Sequence, residues 1–450
     1  MRKTGIGLAL LAGAAMASAA PKPGWIVNPA WVHAEESFLA SDALRGRGSF
    51  TRDEAIAAAY VGSQFEAFGL KPAPGLTGYV QTAPLIHTRV EGAPRLSLAG
   101  RALPAPTLVV GPLGPIEGKV ALVASGDPAD LPEDAPIVAV AAPRVEPAAL
   151  FRAARAKHIG LVVIEASAAS AAWRASLDPA PAMPSYVAGD PPARRTAFAT
   201  LDAAGFAALR AGAGAIARLD VTVARDPGST SNAIGYLPGT DPQAGVILLS
   251  AHLDHLGQRA DGTIFHGAND DASGTTAVME LARALAATGP HRRGLLFVAY
   301  GSEEAGTYGS RYFGAHPPVP LTSLVANIEF EMIGAQDPRL PAGALMMTGF
   351  PRSDLGAALK AGGALIAPDP YPEEHFFERS DNYALALKGV VAHTLSGWAV
   401  VPTYHQPTDD LAHIDFPFMT RAIQSLVGPV QTLANGRFTP HWQGEGQPKE

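Results

Sequence analysis

Three apolar runs constrain the fold more than any other feature: Val246-Ile-Leu-Leu-Ser250, Leu295-Leu-Phe-Val-Ala-Tyr300 and Leu324-Val-Ala-Asn-Ile-Glu-Phe330. Each is short and almost continuously apolar, the pattern of a strand covered on both faces. Between the first two lies Ser273 to Ala287, where Val278, Leu281, Ala282 and Leu285 recur at helical spacing. Val390-Val-Ala-His-Thr394 reads as a further strand and Phe416 to Leu433 as a closing helix. Strand alternating with helix predicts an α/β fold: a mostly parallel mixed sheet flanked by helices on both faces.

In open α/β sheets, ligands bind beyond the carboxyl ends of the strands. Here those ends carry His252-Leu253-Asp254, Ser302-Glu303-Glu304 and Glu331-Met332-Ile333-Gly334. Gly267-Ala-Asn-Asp-Asp-Ala-Ser-Gly274 lies between the first two, and Thr403-Tyr-His405-Gln-Pro-Thr-Asp409 follows downstream. Taken singly, each is ordinary. A His-x-Asp is usually a hydrogen-bonded pair, a Glu-Glu a solvated loop, and Asp with Ser a helix cap. Together they bring histidines and carboxylates to one edge of the sheet, and zinc accepts that mixture of nitrogen and oxygen donors. The chain has no cysteine, which excludes thiolate metal sites and Cys nucleophiles. Its formal net charge of -7 is mild for 450 residues and points to neither nucleic acid nor an anionic membrane as partner.

The N-terminus has the order of a secretory signal peptide: basic Arg2 and Lys3, apolar Ile6 to Met16, then the small residues Ala17-Ser18-Ala19. Residues 1–19 are therefore expected to be removed. The chain is then secreted or periplasmic, without a membrane span, and without disulfides must hold together by packing and metal. Trp31 to about Gly69 reads as helical with a break near Gly46-Arg47-Gly48. From 88 to 223 the texture changes to short apolar runs among frequent Pro and Gly, with one helix at Pro147 to Lys157. It predicts a small β-rich domain of its own rather than an extension of the main sheet. Residues 20–87 and 224–438 then form one discontinuous domain, and 439–450 a flexible tail.

In this combination the motifs resemble the co-catalytic two-zinc exopeptidases, a family that includes bacterial leucyl aminopeptidases, glutamate carboxypeptidase and the transferrin receptor. The resemblance rests on Ser-Ala-His252-Leu-Asp254, Gly-Ala-Asn-Asp270-Asp-Ala-Ser-Gly, Ser-Glu303-Glu304-Ala-Gly, Glu331-Met-Ile-Gly and Tyr-His405-Gln-Pro-Thr-Asp. Leu39-Ala-Ser-Asp-Ala-Leu-Arg-Gly-Arg-Gly48 and Phe65-Glu-Ala-Phe-Gly-Leu-Lys-Pro72 also fit the bacterial members. It implies a zinc aminopeptidase fold, with 88–223 as an inserted protease-associated domain. Two Zn2+ per chain are implied, Asp270 bridging them, His252 and Glu331 completing one site and Glu304 and His405 the other. Asp254 would orient His252, and Asp381 in Ser380-Asp-Asn-Tyr383 would support the site. Many members carry Asp where this chain has Glu331. Glu329 shares a strand face with it and is a rival, but Glu331 is the one that precedes Met-Ile-Gly. His255 and His266 read as polar loop residues.

The implied reaction is peptide hydrolysis by a zinc-bridging hydroxide, with Glu303 as general base. Tyr404, unless it merely packs, would donate to the oxyanion. An aminopeptidase acting on peptides with a free N-terminus is the expected direction, because Arg259, Arg311 and Arg379 are scattered rather than clustered as a clamp for a terminal carboxylate. Phe376, Phe377, Tyr383 and Trp398 would wall a pocket for small or apolar side chains unless they belong to the core. The alternatives are a one-zinc glutaminyl-peptide cyclase of the same fold and a non-catalytic, receptor-like relative.

Overall fold

A computed structural model describes residues 24–142, 144–177, 180–190 and 195–449. The expected signal peptide lies outside the described residues. Two helices come first, α1 (Pro29–Leu39) and α2 (Arg52–Ala67). Asn28 and Thr51 cap them, each side chain accepting from a backbone N–H of the first turn. Between the helices, Arg45 and Gly46 take left-handed backbone angles, at the predicted break. The chain continues through β1 (Val80–Leu98), β2 (Ile116–Val123), β3 (Ile137–Val140), α3 (Pro147–Ala156), β4 (Leu161–Glu165), β5 (Ala197–Leu201) and β6 (Ile216–Leu237). The second half supplies β7 (Val246–His252), α4 (Ser273–Thr288), β8 (Gly294–Tyr300), β9 (Leu324–Glu331), β10 (Leu345–Met347), β11 (Ala392–Ser396) and α5 (Phe416–Asn435).

The three apolar runs form the centre of the sheet. β7 pairs in parallel with β8 on one side and β9 on the other, and β9 pairs in parallel with β11. Antiparallel β6 beside β8 and β10 beside β11 make the sheet mixed. Every residue of β7 and β8 is buried, which is why their sequences do not alternate. One apolar cluster joins α1, α2, α4 and α5 to one face of the sheet. A second, with Phe313 and Leu385, covers the other. Each large side chain buried there stabilises the fold by about 1.5–3 kcal/mol. The expected α/β class, with helices on both faces, is the one observed.

The middle segment departs from expectation in two ways. β1 and β6 pair as one long antiparallel ribbon, from Val80 opposite Ala233 to Leu98 opposite Ala217. Thr88 pairs with Arg225 inside it, so the expected boundaries at 88 and 224 cut through a continuous ladder. The segment is also not simply β-rich: β2, β3, β4 and β5 run parallel in that order, and three helices accompany them. It buries its own apolar clusters, around Ile137, Leu161 and Leu219 on one face and Val138, Val162 and Phe198 on the other.

The segment after Phe438, expected to be a flexible tail, is docked instead. Trp442 Nε1–H donates to the Gly389 carbonyl at 3.1 Å, and the His441 N–H donates to Asp354 at 2.7 Å. Trp442 also packs against Phe377 and His393. Among the described residues, no helix is long and apolar enough to cross a membrane.

His393, in β11, is 1% exposed. Its Nδ1–H donates to the Thr348 carbonyl at 2.9 Å, leaving Nε2 to accept from Ser353 Oγ at 2.7 Å. Burial pushes its pKa down to about 4, so the folded protein holds it neutral. The unfolded chain takes up that proton from about pH 6.5 downward. Stability is therefore present above that pH and lost as pH falls toward 4, by up to about 3 kcal/mol. Urea midpoints at pH 7 and 4.5 should differ less for His393→Asn than for the unsubstituted protein. Equal differences would refute the assignment.

Candidate metal centre

The carboxyl ends of β7, β8 and β9 converge as the sheet topology requires. β7 ends on His252, the chain leaves β8 through Ser302 to Glu303 and Glu304, and β9 ends on Glu331. Ser302, Met332 and His405 all have φ of 55°. A left-handed backbone costs a non-glycine residue about 1 kcal/mol or more, and it persists where surrounding contacts over-determine it.

Asp270 sits in the middle. His252 Nε2 lies 3.3 Å from one of its carboxylate oxygens, and His405 Nε2 lies 3.2 Å from the other. His405 Nε2 is also 3.1 Å from Glu304 Oε2. His252, Asp270 and Glu331 bring donor atoms within 4.8 Å of one another, and so do His255, Asp270 and Glu304. The five residues expected as ligands thus come together, with Asp270 common to both groups. Glu329 does not join them. Its carboxylate accepts from the Asn382 N–H at 2.7 Å and from Thr394 Oγ at 2.8 Å.

His255, expected to be a polar loop residue, is fully buried. Its Nδ1 lies 2.8 Å from Glu304 Oε1. His255 through both ring nitrogens, His252 Nε2, Asp270 Oδ2, Glu304 Oε1 and His405 Nε2 are all buried without an aligned hydrogen-bond partner among the described residues. Buried polar atoms are rarely left so. Nitrogen and oxygen donors crowded together but misaligned for sharing protons suit a cation between them. His266 keeps its outlying role, with Nε2 2.8 Å from Asp42.

A layer of hydrogen bonds fixes these groups. His252 Nδ1–H donates to the Asp254 backbone carbonyl at 3.2 Å, leaving Nε2 with its lone pair toward Asp270. The Asp254 carboxylate, expected to hold His252, lies 3.7 Å from Nδ1. It accepts instead from Ser49 Oγ at 2.5 Å and from the Glu303 N–H at 2.9 Å. Asp409 accepts from the Asn269 and Asp270 N–H groups at 2.9 and 3.0 Å, and Asp271 from the Met332 N–H at 2.9 Å. Buried Arg47 donates to the carbonyls of Leu253, His266 and Gly267 at 2.7–2.8 Å. Asp381 accepts from Ser310 Oγ, behind the centre. Arg47 and Asp409 lay inside motifs of the sequence, but their partners are remote along the chain.

Electrostatics separates the adjacent glutamates. Burial alone would raise Glu304, but His255 and His405 beside it bring its pKa below the ordinary value. Asp270 is likewise buried, and His252 and His405 hold it well below the usual carboxylate range. Burial pushes Glu303 well up; His252 offsets part of this, while Asp381, Glu304 and Glu331 add to it. Burial also lifts Glu331, to about 7. The Tyr404 ring stacks on His405, with centroids 3.9 Å apart. Burial, with the charges of Asp270, Glu304 and Glu331, raises its hydroxyl pKa and keeps it a proton donor. Of the aromatics expected to wall a pocket, Phe376 lines one beside Glu331 and Tyr404, whereas Phe377 is buried in the core. Arg259 covers the Phe265 ring, Arg311 lines a separate cleft and Arg379 lines the pocket beside Glu331.

Residues 232–427 match the model of peptidase family M28. Leupeptin-inactivating enzyme 1 of Streptomyces exfoliatus is 27% identical over 243 residues, 48% of this chain and 52% of that enzyme. The probable lipoprotein aminopeptidase LpqL of Mycobacterium tuberculosis is 28% identical over 212 residues, 39% of this chain and 40% of that protein. The chain thus spans about half, or less, of the length of these relatives. Among solved structures, an aminopeptidase from Aneurinibacillus sp. strain AM-1 shares the fold with a TM-score of 0.57 at 19% identity, covering 91% of this chain and 94% of that one. The zinc aminopeptidase BSAP of Bacillus subtilis gives 0.57 at 19% identity, covering 94% and 97%.

Proposed function

We propose, from the match of residues 232–427 to the model of peptidase family M28, that the protein is a zinc-dependent aminopeptidase of two metals per chain, exported by its N-terminal signal. The observation that carries the proposal is the placement of Asp270 between two groups of unpartnered nitrogen and oxygen donors. That donor set fits zinc. His252, Asp270 and Glu331 would hold one ion, and Asp270, Glu304 and His405 the other, with His255 as a further nitrogen donor on the Glu304 side. When bound, zinc supplies Lewis acidity, polarising a carbonyl and acidifying water. Names among the relatives favour this metal and direction: probable zinc metalloproteases and aminopeptidases.

The chain's own residues do the rest. Glu303 takes the proton of the attacking water on its carboxylate and returns it to the leaving amine. Its backbone is fastened to Asp254, two residues beyond His252 at the end of β7, so base and ligand keep a fixed relation. Tyr404 donates a hydrogen bond to the oxyanion. The middle segment, with its own core, is the inserted protease-associated domain. Arg2, Lys3, the apolar stretch to Met16 and Ala17-Ser18-Ala19 support export.

Direction is tested with an aminoacyl-p-nitroanilide, its N-acetylated form and a peptide blocked only at its C-terminus. The free-amine substrate and the C-blocked peptide should be cleaved and the acetylated one spared. Equal cleavage of the acetylated form, or a strict need for a free C-terminal carboxylate, would remove the aminopeptidase assignment.

A further inference from the structure

Two pockets adjoin the metal centre. One holds about 480 Å³ and reaches His255 and Glu304 past Ser176 of the middle segment. The other holds about 40 Å³ and shares Glu331 and Tyr404 with the centre. An enzyme that releases one residue at a time needs a bounded pocket for that residue and a longer path for the remaining chain. The small pocket suits the first need and the large one the second. This assignment rests on the exopeptidase reading above. The small pocket offers less than a tenth of the space of the large one, about 40 against about 480 Å³, so it bounds a short side chain rather than a peptide.

The lining is not that of an apolar pocket. Met332, Met346 and Phe376 give it an apolar wall, but Arg379, Thr348 and Ser396 line it too. Ser396 is 3% exposed, and its Oγ has no hydrogen-bond partner among the described residues. A buried hydroxyl without a partner is costly, and a bound acceptor would satisfy it. Thr348 Oγ accepts the Thr394 N–H at 3.3 Å, which leaves its own proton available. The Arg379 guanidinium lies 4.9 Å from the Phe376 ring centre, with one long contact of 3.4 Å to Glu374. Both members of that ion pair are nearly half exposed, and such pairs are weak. Most of the guanidinium fork is therefore available, and a carboxylate is the group it matches best.

We infer that this pocket receives a substrate carboxylate, paired with Arg379 and hydrogen-bonded by Ser396 and Thr348, and that its source is the side chain of an N-terminal Asp or Glu. A short acidic side chain suits a pocket of this size and lining. The inference replaces the apolar preference expected from the aromatic residues. A peptide's terminal carboxylate carries the same chemistry, and the test separates the two sources.

The test measures kcat/KM for the p-nitroanilides of Asp, Asn, Glu and Gln. Each acid and its amide match in size, so their ratio isolates charge, and none of these substrates has a terminal carboxylate. The protein should favour the acids by at least about tenfold, and Arg379→Gln should bring the ratio close to one. Arg379 is exposed, so the variant is expected to fold. An acid-to-amide ratio near one in the unsubstituted protein, or a ratio unchanged in Arg379→Gln, overturns the proposal. A second arm compares neutral dipeptides with their C-terminal amides. An Arg379-dependent preference for the free dipeptides, without one for acidic side chains, overturns the side-chain source. Failure of the exopeptidase reading looks different: no p-nitroanilide with a free amine is cleaved, whatever its side chain.

Discussion

Glu303→Gln is expected to lower kcat by at least ~100-fold while the variant keeps its full zinc content. Glutamine preserves the size of the side chain and much of its hydrogen bonding, but it cannot take a proton from water. The backbone N–H of residue 303, which donates to Asp254 at 2.9 Å, is untouched by the change. Glu304→Gln should behave oppositely. The Glu304 carboxylate lies 2.8 Å from His255 Nδ1 and 3.1 Å from His405 Nε2, so its loss should appear first as weaker zinc binding. The surroundings of the two neighbours differ in the same sense: His255 and His405 bring the Glu304 pKa below the ordinary value, while burial pushes that of Glu303 well up. Elemental analysis and kcat on both purified variants decide the matter. Metal loss in Glu303→Gln together with retained metal and lost turnover in Glu304→Gln would reverse the assignment.

The parts of this molecule that were legible in the sequence are those whose patterns are local. β7, β8 and β9 announce themselves because a strand buried on both faces must be apolar throughout. His252 and Glu331 are legible because they end two of those strands, and Glu304 because it lies just past the third. β1 and β6 were not legible as a ribbon. β1 contains Pro84, Gly92 and Pro94 and is exposed over much of its length; it owes its form to cross-strand pairing with a partner more than a hundred residues away. The place of His255 is hidden from the sequence for a similar reason. Its neighbour Leu256 is 41% exposed while His255 is fully buried, and no local pattern distinguishes the two positions. Arg47 reaches Gly267 across 220 residues, and Trp442 fills a gap beside His393 from a polar tail. In each case burial, rather than residue type, sets the role, and burial at those positions belongs to tertiary packing.

Asp270→Asn should lose both zinc ions and, with them, essentially all peptide hydrolysis, whereas Glu331→Gln should weaken only one site. The reason is that Asp270 belongs to both donor groups, and Glu331 to one. One Asp270 oxygen faces His252 and the other faces His405. An amide offers a single neutral oxygen and cannot serve both sides. Replacing even an outer residue of a metal site typically costs 10–100-fold in affinity, so loss of a shared ligand should exceed ~100-fold. The unsubstituted protein should hold two zinc per chain, lose activity on exhaustive chelation and recover it when zinc is restored. The glutaminyl cyclase alternative requires one zinc and conversion of an N-terminal glutamine to pyroglutamate. A receptor-like relative requires neither metal nor turnover. Thermal melts of Asp270→Asn with and without zinc show whether the fold survives, so that metal loss is not mistaken for unfolding. If the folded Asp270→Asn protein retained two zinc ions, or the verified metal-free protein retained full activity, the shared-ligand centre would have to be abandoned.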